Sequence, residues 1–187
     1  ELGVDVAASD GAVVFRNDLF ELIQYTPKTT AVAAVPLLYV FSQVNRFYLG
    51  DLTPDRSLFQ RLLDAGIPVF AVSWKNPTTA ERDWNLDTYA GGVIDAVKVV
   101  RDVTGQPRIH LIGVCAGGLA AATAAGVMAA RKNDWVDAMS LFINVLDFRP
   151  ADSDFGLFVD ERSVAAQKAA IRNKGIEEDR YAAGVGA

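Results

Sequence analysis

Three stretches of this chain, PLLYVFS (36–42), IPVFAVSW (67–74) and RIHLIGV (108–114), are nearly unbroken apolar runs of strand length. Such a run belongs to a strand covered on both faces, and strands of that kind occur almost only in parallel sheets flanked by helices. The segments between them supply the helices. PDRSLFQRLLDAG (54–66) has proline near its start and glycine at its end, with Leu58, Phe59, Leu62 and Leu63 on an inward face. Residues 86–104, closed by Gly105, turn Val93, Ile94, Val97 and Val100 inward. Residues 119–131 read as the next helix and AMSLFINVLDF (138–148) as a further strand. Near the start, 13–15 reads as a short strand, and NDLFELIQY (17–25) as a short helix capped by Asn17 or Asp18. Strands alternating with helices at this spacing call for right-handed βαβ units. The expected fold class is α/β, a mostly parallel sheet with helices on both faces.

Residues 1–150 are expected to form the core of one domain, a size that can bury a substantial hydrophobic interior. Beyond 150 the pattern loosens: FGLFVDE (155–161) precedes a polar helix, and YAAGVGA (181–187) reads as a stub. Residues 151–187 are therefore read as the start of a cap-like or lid-like insertion, or a truncated tail. Residue 1 is Glu and the α/β pattern stops part-way, so the chain is expected to be part of a longer domain whose C-terminal portion lies outside it. A net charge of −5 with interspersed signs and no basic stripe argues against nucleic acid as a partner. The single cysteine cannot form an internal disulfide, which favours a reducing compartment such as the cytoplasm. Residues 111–130 are uncharged and long enough to span a membrane, but glycine and alanine make them weakly apolar. Strand, turn and buried helix explain them better.

The stretch HLIGVCAGG (110–118) runs a strand into a turn with Cys115 at its apex, between Gly113 and Gly117. This is the G-x-nucleophile-x-G pattern of the α/β-hydrolase elbow, with a thiol in place of the usual hydroxyl. At such a turn the apex residue takes a strained conformation, and a side chain at 113 or 117 would collide across it. The helix that follows points its N-terminus at the apex, which favours an anion there. The backbone N–H of Ala116 is then placed to bind a developing oxyanion. The competing reading is a buried structural cysteine, free cysteine being among the most buried residue types. The two glycines, the strand before and the small-residue helix after all favour the nucleophile.

With those residues in view, the chain resembles the polyhydroxyalkanoate synthases, α/β-hydrolase-fold enzymes that polymerise (R)-3-hydroxyacyl-CoA thioesters through a cysteine elbow. The resemblance is carried in order by VVFRNDLFELIQYTP (13–27), VNRFYLGDLTPDRSL (44–58), VFAVSWKNP (69–77), HLIGVCAGG (110–118), LDF (146–148) and FVDE (158–161). It implies that Cys115 attacks the thioester and that Val44, in the loop after an early strand, gives a second oxyanion N–H beside that of Ala116. It implies a CoA thioester as substrate rather than a cofactor, a polyester product, and a location in the cytoplasm at the surface of polymer granules. It further implies a homodimer or pairing with a synthase partner subunit. The chain departs from the family at FSQ (41–43), where many members have a Pro-Pro pair, at Arg46, where they have lysine, and after about residue 168. The family's catalytic aspartate and histidine lie beyond the cysteine, in a part this chain does not contain.

The inventory of possible bases is short. His110 is the one histidine, and five residues of strand put it roughly 16 Å from Cys115, beyond hydrogen-bond reach. It reads as a strand histidine satisfied locally. Asp147, expected at the end of a strand, has no histidine to orient and reads as a structural contact. Asp51 with Asp55, and Glu177 with Glu178, read as solvated turns and helix faces. No cluster has metal-ligand spacing and no glycine loop fits a phosphate. The chain is therefore expected to hold a nucleophile and an oxyanion hole without a general base. The alternatives are a hydrolase or depolymerase on the same fold, and an inactive homologue acting at granules or as a partner subunit.

Overall fold

The computed structural model describes residues 6–147 and 161–174. The expected features at 155–160, 177–178 and 181–187 lie outside these. Six strands form one sheet in the order β1-β2-β4-β3-β5-β6: β1 (Gly11–Arg16), β2 (Phe20–Tyr25), β3 (Leu37–Val40), β4 (Val69–Trp74), β5 (Ile109–Val114) and β6 (Val136–Phe142). The three apolar runs are β3, β4 and β5. β3 lies between β4 and β5 and is parallel to both, with β6 parallel beyond β5, whereas β2 is antiparallel to both β1 and β4. The sheet is thus mixed and mostly parallel.

Helices cover both faces, as the strand period requires. Along β3, Leu38 and Val40 face one core together with Val93, Val97 and Val100 of α2 (Leu86–Thr104) and Ala120, Ala121 and Ala124 of α3 (Ala116–Ala130). Leu37 and Tyr39 face the other, with Phe59 and Leu63 of α1 (Leu58–Asp64). Both limits of α2 match its local signals: Asn85 and Thr88 form a capping box, and Gly105 closes the helix in the left-handed conformation at φ 66°.

The segment 17–25 is not a helix. Residues Phe20–Tyr25 form β2, between β1 and β4. Asn17 does offer its side-chain oxygen to two main-chain N–H groups, those of Leu19 and Phe20 (both 2.9 Å), but it does so in a hairpin turn, where its own N–H donates to the carbonyl of Phe20 (3.0 Å). The same side-chain chemistry serves helix starts and turns. Here two flanking strands satisfy the backbone, and Phe20 and Leu22 enter one core while Tyr25 enters the other. Two further limits differ from expectation. Helix α1 starts at Leu58, because Ser57 accepts from the N–H of Gln60 (2.9 Å), and this leaves Leu58 44% exposed. Strand β6 stops at Phe142, well short of 148.

The chain divides into two compact units, Glu1–Asn76 with Asp83–Asn144, and Pro77–Arg82 with Val145–Ala187. The whole sheet lies in the first. The second contains a short 3-10 turn, Thr79–Glu81, capped by Thr78, and the polar helix α4 (Glu161–Lys174). Among the described residues no helix is long and apolar enough to cross a membrane, and residues 111–130 divide between β5, a turn and α3.

Candidate active site

Parallel strands open their C-terminal ends on one edge of a sheet, and the turns at that edge carry the candidate residues. Cys115 occupies the single position between β5 and α3, with φ 54° and ψ −128°, and is exposed. A positive φ at a residue other than glycine costs on the order of 1–3 kcal/mol and persists only where its surroundings impose it. Three hydrogen bonds impose it here. The Cys115 N–H donates to the carbonyl of Phe142 at the end of β6 (3.0 Å). Its carbonyl accepts from the N–H of Gly118 (2.9 Å) and from Nδ2 of Asn144 (2.6 Å).

The glycines around it are sites of close approach. A Cβ on Gly117 would fall on the Phe41 carbonyl and lie 2.6 Å from that of Val40. One on Gly113 would lie 2.5 Å from the Cα of Gly118. One on Gly118 would fall on the amide nitrogen of Asn144 and lie 2.9 Å from its Cγ. The first turn of α3 therefore sits against the end of β3, where the Phe41 carbonyl is itself held by the indole N–H of Trp74 (2.8 Å).

The chain leaves β3 at this contact and turns at once, the N–H of Asn45 donating to the carbonyl of Ser42 (3.0 Å). Val44 stands in that turn, 49% exposed. Since β3 and β5 are adjacent and parallel, with Val40 opposite Gly113, the Val44 turn and the Cys115 apex open on the same edge. Ala116 is the first residue of α3, and its N–H belongs to the peptide unit directly after Cys115.

His110 lies at the other end of β5, opposite Leu37 at the start of β3. Its Nδ1 is buried with no hydrogen-bond partner among the described residues and stands 3.7 Å from a carboxylate oxygen of Asp137, a contact that becomes an ion pair only with a protonated ring. The expected local satisfaction is thus an electrostatic neighbour rather than a hydrogen bond. Arg108 joins the same group, bridging Asp134 and lying 3.6 Å from Asp137. Asp147 does not end a strand; it is five positions past β6, in the second unit. Among the described residues no group of three His, Cys, Asp or Glu side chains is placed to hold a metal ion.

The two acids read together from the sequence have opposite surroundings. Asp55 is a solvated turn residue, its carboxyl held below the ordinary range by the Thr53 hydroxyl (2.7 Å) and then by a backbone hydrogen bond. Asp51 is fully buried. Its carboxylate accepts from the N–H (3.0 Å) and hydroxyl (2.6 Å) of Ser9, and its carbonyl accepts from the N–H of Ala7 (2.8 Å). Gln60 completes the set by donating to the Ser9 hydroxyl (2.7 Å). The segment at 7–9 is thereby tied to the stretch that follows the Val44 turn. Tyr25 feels the charge of this group: its hydroxyl is buried with no hydrogen-bond partner among the described residues, and its pKa is pushed up, first by burial and then by the charge of Asp51. Neither Asp51 nor Asn144 carried a local signal, because what identifies each is a partner distant in the chain.

Residues 1–62 match the family described as Poly-beta-hydroxybutyrate polymerase (PhaC) N-terminus. The chain is 41% identical over 178 residues to the poly(3-hydroxyalkanoate) polymerase 1 of Ectopseudomonas oleovorans, a match covering 95% of this chain and 32% of that protein. It is 40% identical over 173 residues to the poly(3-hydroxyalkanoate) polymerase subunit PhaC of Cupriavidus necator, covering 91% of this chain and 29% of that one. The chain thus spans about a third of the length of these curated relatives. Among solved structures it superposes on fungal esterases from Rhizomucor miehei with a TM-score of 0.57 at 17% identity, over 81% of this chain and 49% of theirs. A bacterial brefeldin A esterase gives a TM-score of 0.51 at 20% identity, over 73% of this chain and 39% of its own. The architecture is that of the α/β-hydrolase fold.

Proposed function

The chain belongs to the poly(3-hydroxyalkanoate) polymerase family, and from that kinship we propose that it carries the nucleophile of an acyltransferase that builds polyester from 3-hydroxyacyl-CoA. The observation that carries this reading is Cys115, exposed and held at positive φ between β5 and α3. In the proposed reaction the Cys115 thiolate attacks the thioester carbonyl, and the N–H groups of Ala116 and Val44 receive the negative charge that collects on its oxygen. The carbon–sulfur bond to CoA then breaks, CoA leaves as a thiolate that takes up a proton, and the acyl group remains on Cys115. The hydroxyl of a second hydroxyacyl unit or of the growing chain gives its proton to a base and attacks this acyl-enzyme. An ester bond forms and the Cys115 thiolate is restored. Sulfur suits the step because the acyl-enzyme is a thioester, close in energy to the donor and reactive toward an alkoxide.

His110 cannot be that base from the far end of β5, so the proposal assigns the base to polypeptide outside these residues, in keeping with relatives about three times as long. The reading requires no cofactor, CoA entering as part of the substrate. Pairing with a second copy or a synthase partner subunit, in the cytoplasm at a granule surface, belongs to the same proposal and rests on the family resemblance alone.

The test is the fate of 3-hydroxybutyryl-CoA with this chain. Mass spectrometry should find one acyl group, on Cys115 and absent from Cys115→Ala, with CoA release stopping near one equivalent. Loss of a general base costs a factor of about 10² to 10⁴, which accounts for the halt. No adduct, or an adduct elsewhere, would remove the nucleophile. Continuing CoA release with free 3-hydroxy acid would make the protein a hydrolase. Continuing release with polymer would place a base within the chain.

A further inference from the structure

We propose that Asn144 is a positioning residue that aims the Ala116 N–H at the substrate oxygen by holding the carbonyl of Cys115. The inference rests on the reading of Cys115 as an acyl-accepting nucleophile and extends it to the support of the oxyanion site.

The peptide unit between Cys115 and Ala116 is planar. In a trans peptide the C=O of one residue and the N–H of the next point in opposite directions and rotate as one rigid plane. The carbonyl of Cys115 and the N–H of Ala116 share such a plane. Whatever fixes the carbonyl therefore aims the N–H, with no contact to it. Two donors fix that carbonyl: the N–H of Gly118, which belongs to α3 itself, and Nδ2 of Asn144, which reaches in from the end of β6 at 2.6 Å. The orientation of the carboxamide is dictated, since the reverse would set its oxygen against the Cys115 carbonyl.

Three further observations show what the structure gives up for this contact. Ile143 directly precedes Asn144 and has φ 51°, a left-handed conformation that is an outlier for a β-branched residue, and it is 86% exposed. The backbone is bent there between Phe142, which accepts from the Cys115 N–H, and Asn144, which donates to the Cys115 carbonyl. Position 118 is open only to glycine, because any Cβ there would displace the Asn144 amide. Finally, Oδ1 of Asn144 is buried with no hydrogen-bond partner among the described residues, a desolvation cost. Strain, an excluded side chain and an unpaired acceptor all converge on one donor bond to the apex peptide.

The test separates aiming from mere support by comparing two reactions of the same thiol. Acylation by the phenyl thioester of 3-hydroxybutyrate passes through an oxyanion; thiophenolate leaves as Cys115 takes the acyl group. Alkylation by iodoacetamide displaces iodide from carbon and builds no oxyanion. Loss of a whole oxyanion donor costs about 10²–10³ in rate, and a donor left in place but misaimed should cost on the order of ten-fold. Asn144→Leu keeps a branched side chain of similar size and adds no charge beside the thiol, while removing the donor to the Cys115 carbonyl. It should slow acylation on the order of ten-fold and change alkylation by less than about two-fold. Equal slowing of both reactions, or of neither, would overturn the proposal. Gly118→Ala, which displaces the amide without altering it, should show the same selective loss, and the opposite result there counts equally against it. In the wild type, the Asn144 side-chain amide protons should exchange with solvent well below the free-amide rate; exchange at that rate would overturn the proposal whatever the variants do. Failure of the underlying reading looks different: wild-type Cys115 would then not be acylated at all.

Discussion

Helix α3 contains two glycines whose replacement by alanine should have opposite effects on stability. Gly117 sits in its first turn, where a Cβ would fall on the Phe41 carbonyl and crowd that of Val40. Both obstacles are main chain in the sheet, so neither yields as a side-chain tip would. Bringing the new carbon to ordinary contact, about 3.4 Å or more, requires α3 or the end of β3 to retreat on the order of 1 Å. Overpacking of this kind costs about 1–3 kcal/mol. If the Phe41 carbonyl moves, its bond to the Trp74 indole weakens as well, worth about 1 kcal/mol. A loss of about 3 kcal/mol is expected for Gly117→Ala. Gly126 lies on the exposed side of the same helix with nothing within 4 Å of its Cβ position. There alanine only removes backbone freedom from the unfolded chain, and Gly126→Ala should gain about 0.5–1 kcal/mol. Urea unfolding followed by tryptophan fluorescence measures both. With a slope of roughly 2 kcal/mol per molar, the Gly117 variant should melt roughly 1.5 M earlier and the Gly126 variant slightly later. A Gly117→Ala midpoint indistinguishable from wild type would refute the close approach of α3 to β3, and with it the geometry that puts the Val44 turn beside the elbow.

Two other outcomes follow from Tyr25 and the buried Asp51. Tyr25 has its pKa raised in the fold, so its contribution is fully present below the unfolded value near 10 and is lost as pH rises above it, by up to about 1.4 kcal/mol per unit. Tyr25→Phe should flatten that alkaline decline and be neutral or stabilising by up to about 1 kcal/mol at pH 7, since the hydroxyl it removes has no partner among the described residues; urea melts at pH 7 and 10.5 decide it, and an unchanged alkaline slope would contradict the assignment. Asp51→Ala leaves two Ser9 donors without their acceptor and should cost about 2–3 kcal/mol by the same assay, whereas a loss within 0.5 kcal/mol would show that the 7–9 segment is not held by this carboxylate.

The amino-acid sequence alone determined the features whose causes are local. Unbroken apolar runs demand strands covered on both faces, and β3, β4 and β5 are where those runs are. Capping residues and a terminal glycine bound α2 at the residues expected. The glycines at 113 and 117 and the small residues after Cys115 mark a sharp strand-to-helix turn. What the tertiary structure decided are the places where a distant partner outweighs a local preference. Residues 20–25 carry helix-like signals, yet become β2 because β1 and β4 offer the backbone two ladders at once. Asp51 has the look of a solvated acid, yet is buried because Ser9, 42 positions earlier, supplies both its donors. Asn144 has no motif at all; it acquires its place through a bond to Cys115, 29 positions away, and through a glycine that admits its side chain. Backbone pattern and turn chemistry act over a few residues and can be read along the chain. Hydrogen-bond satisfaction and close packing act across space, so they are settled only once the sheet has brought those residues together.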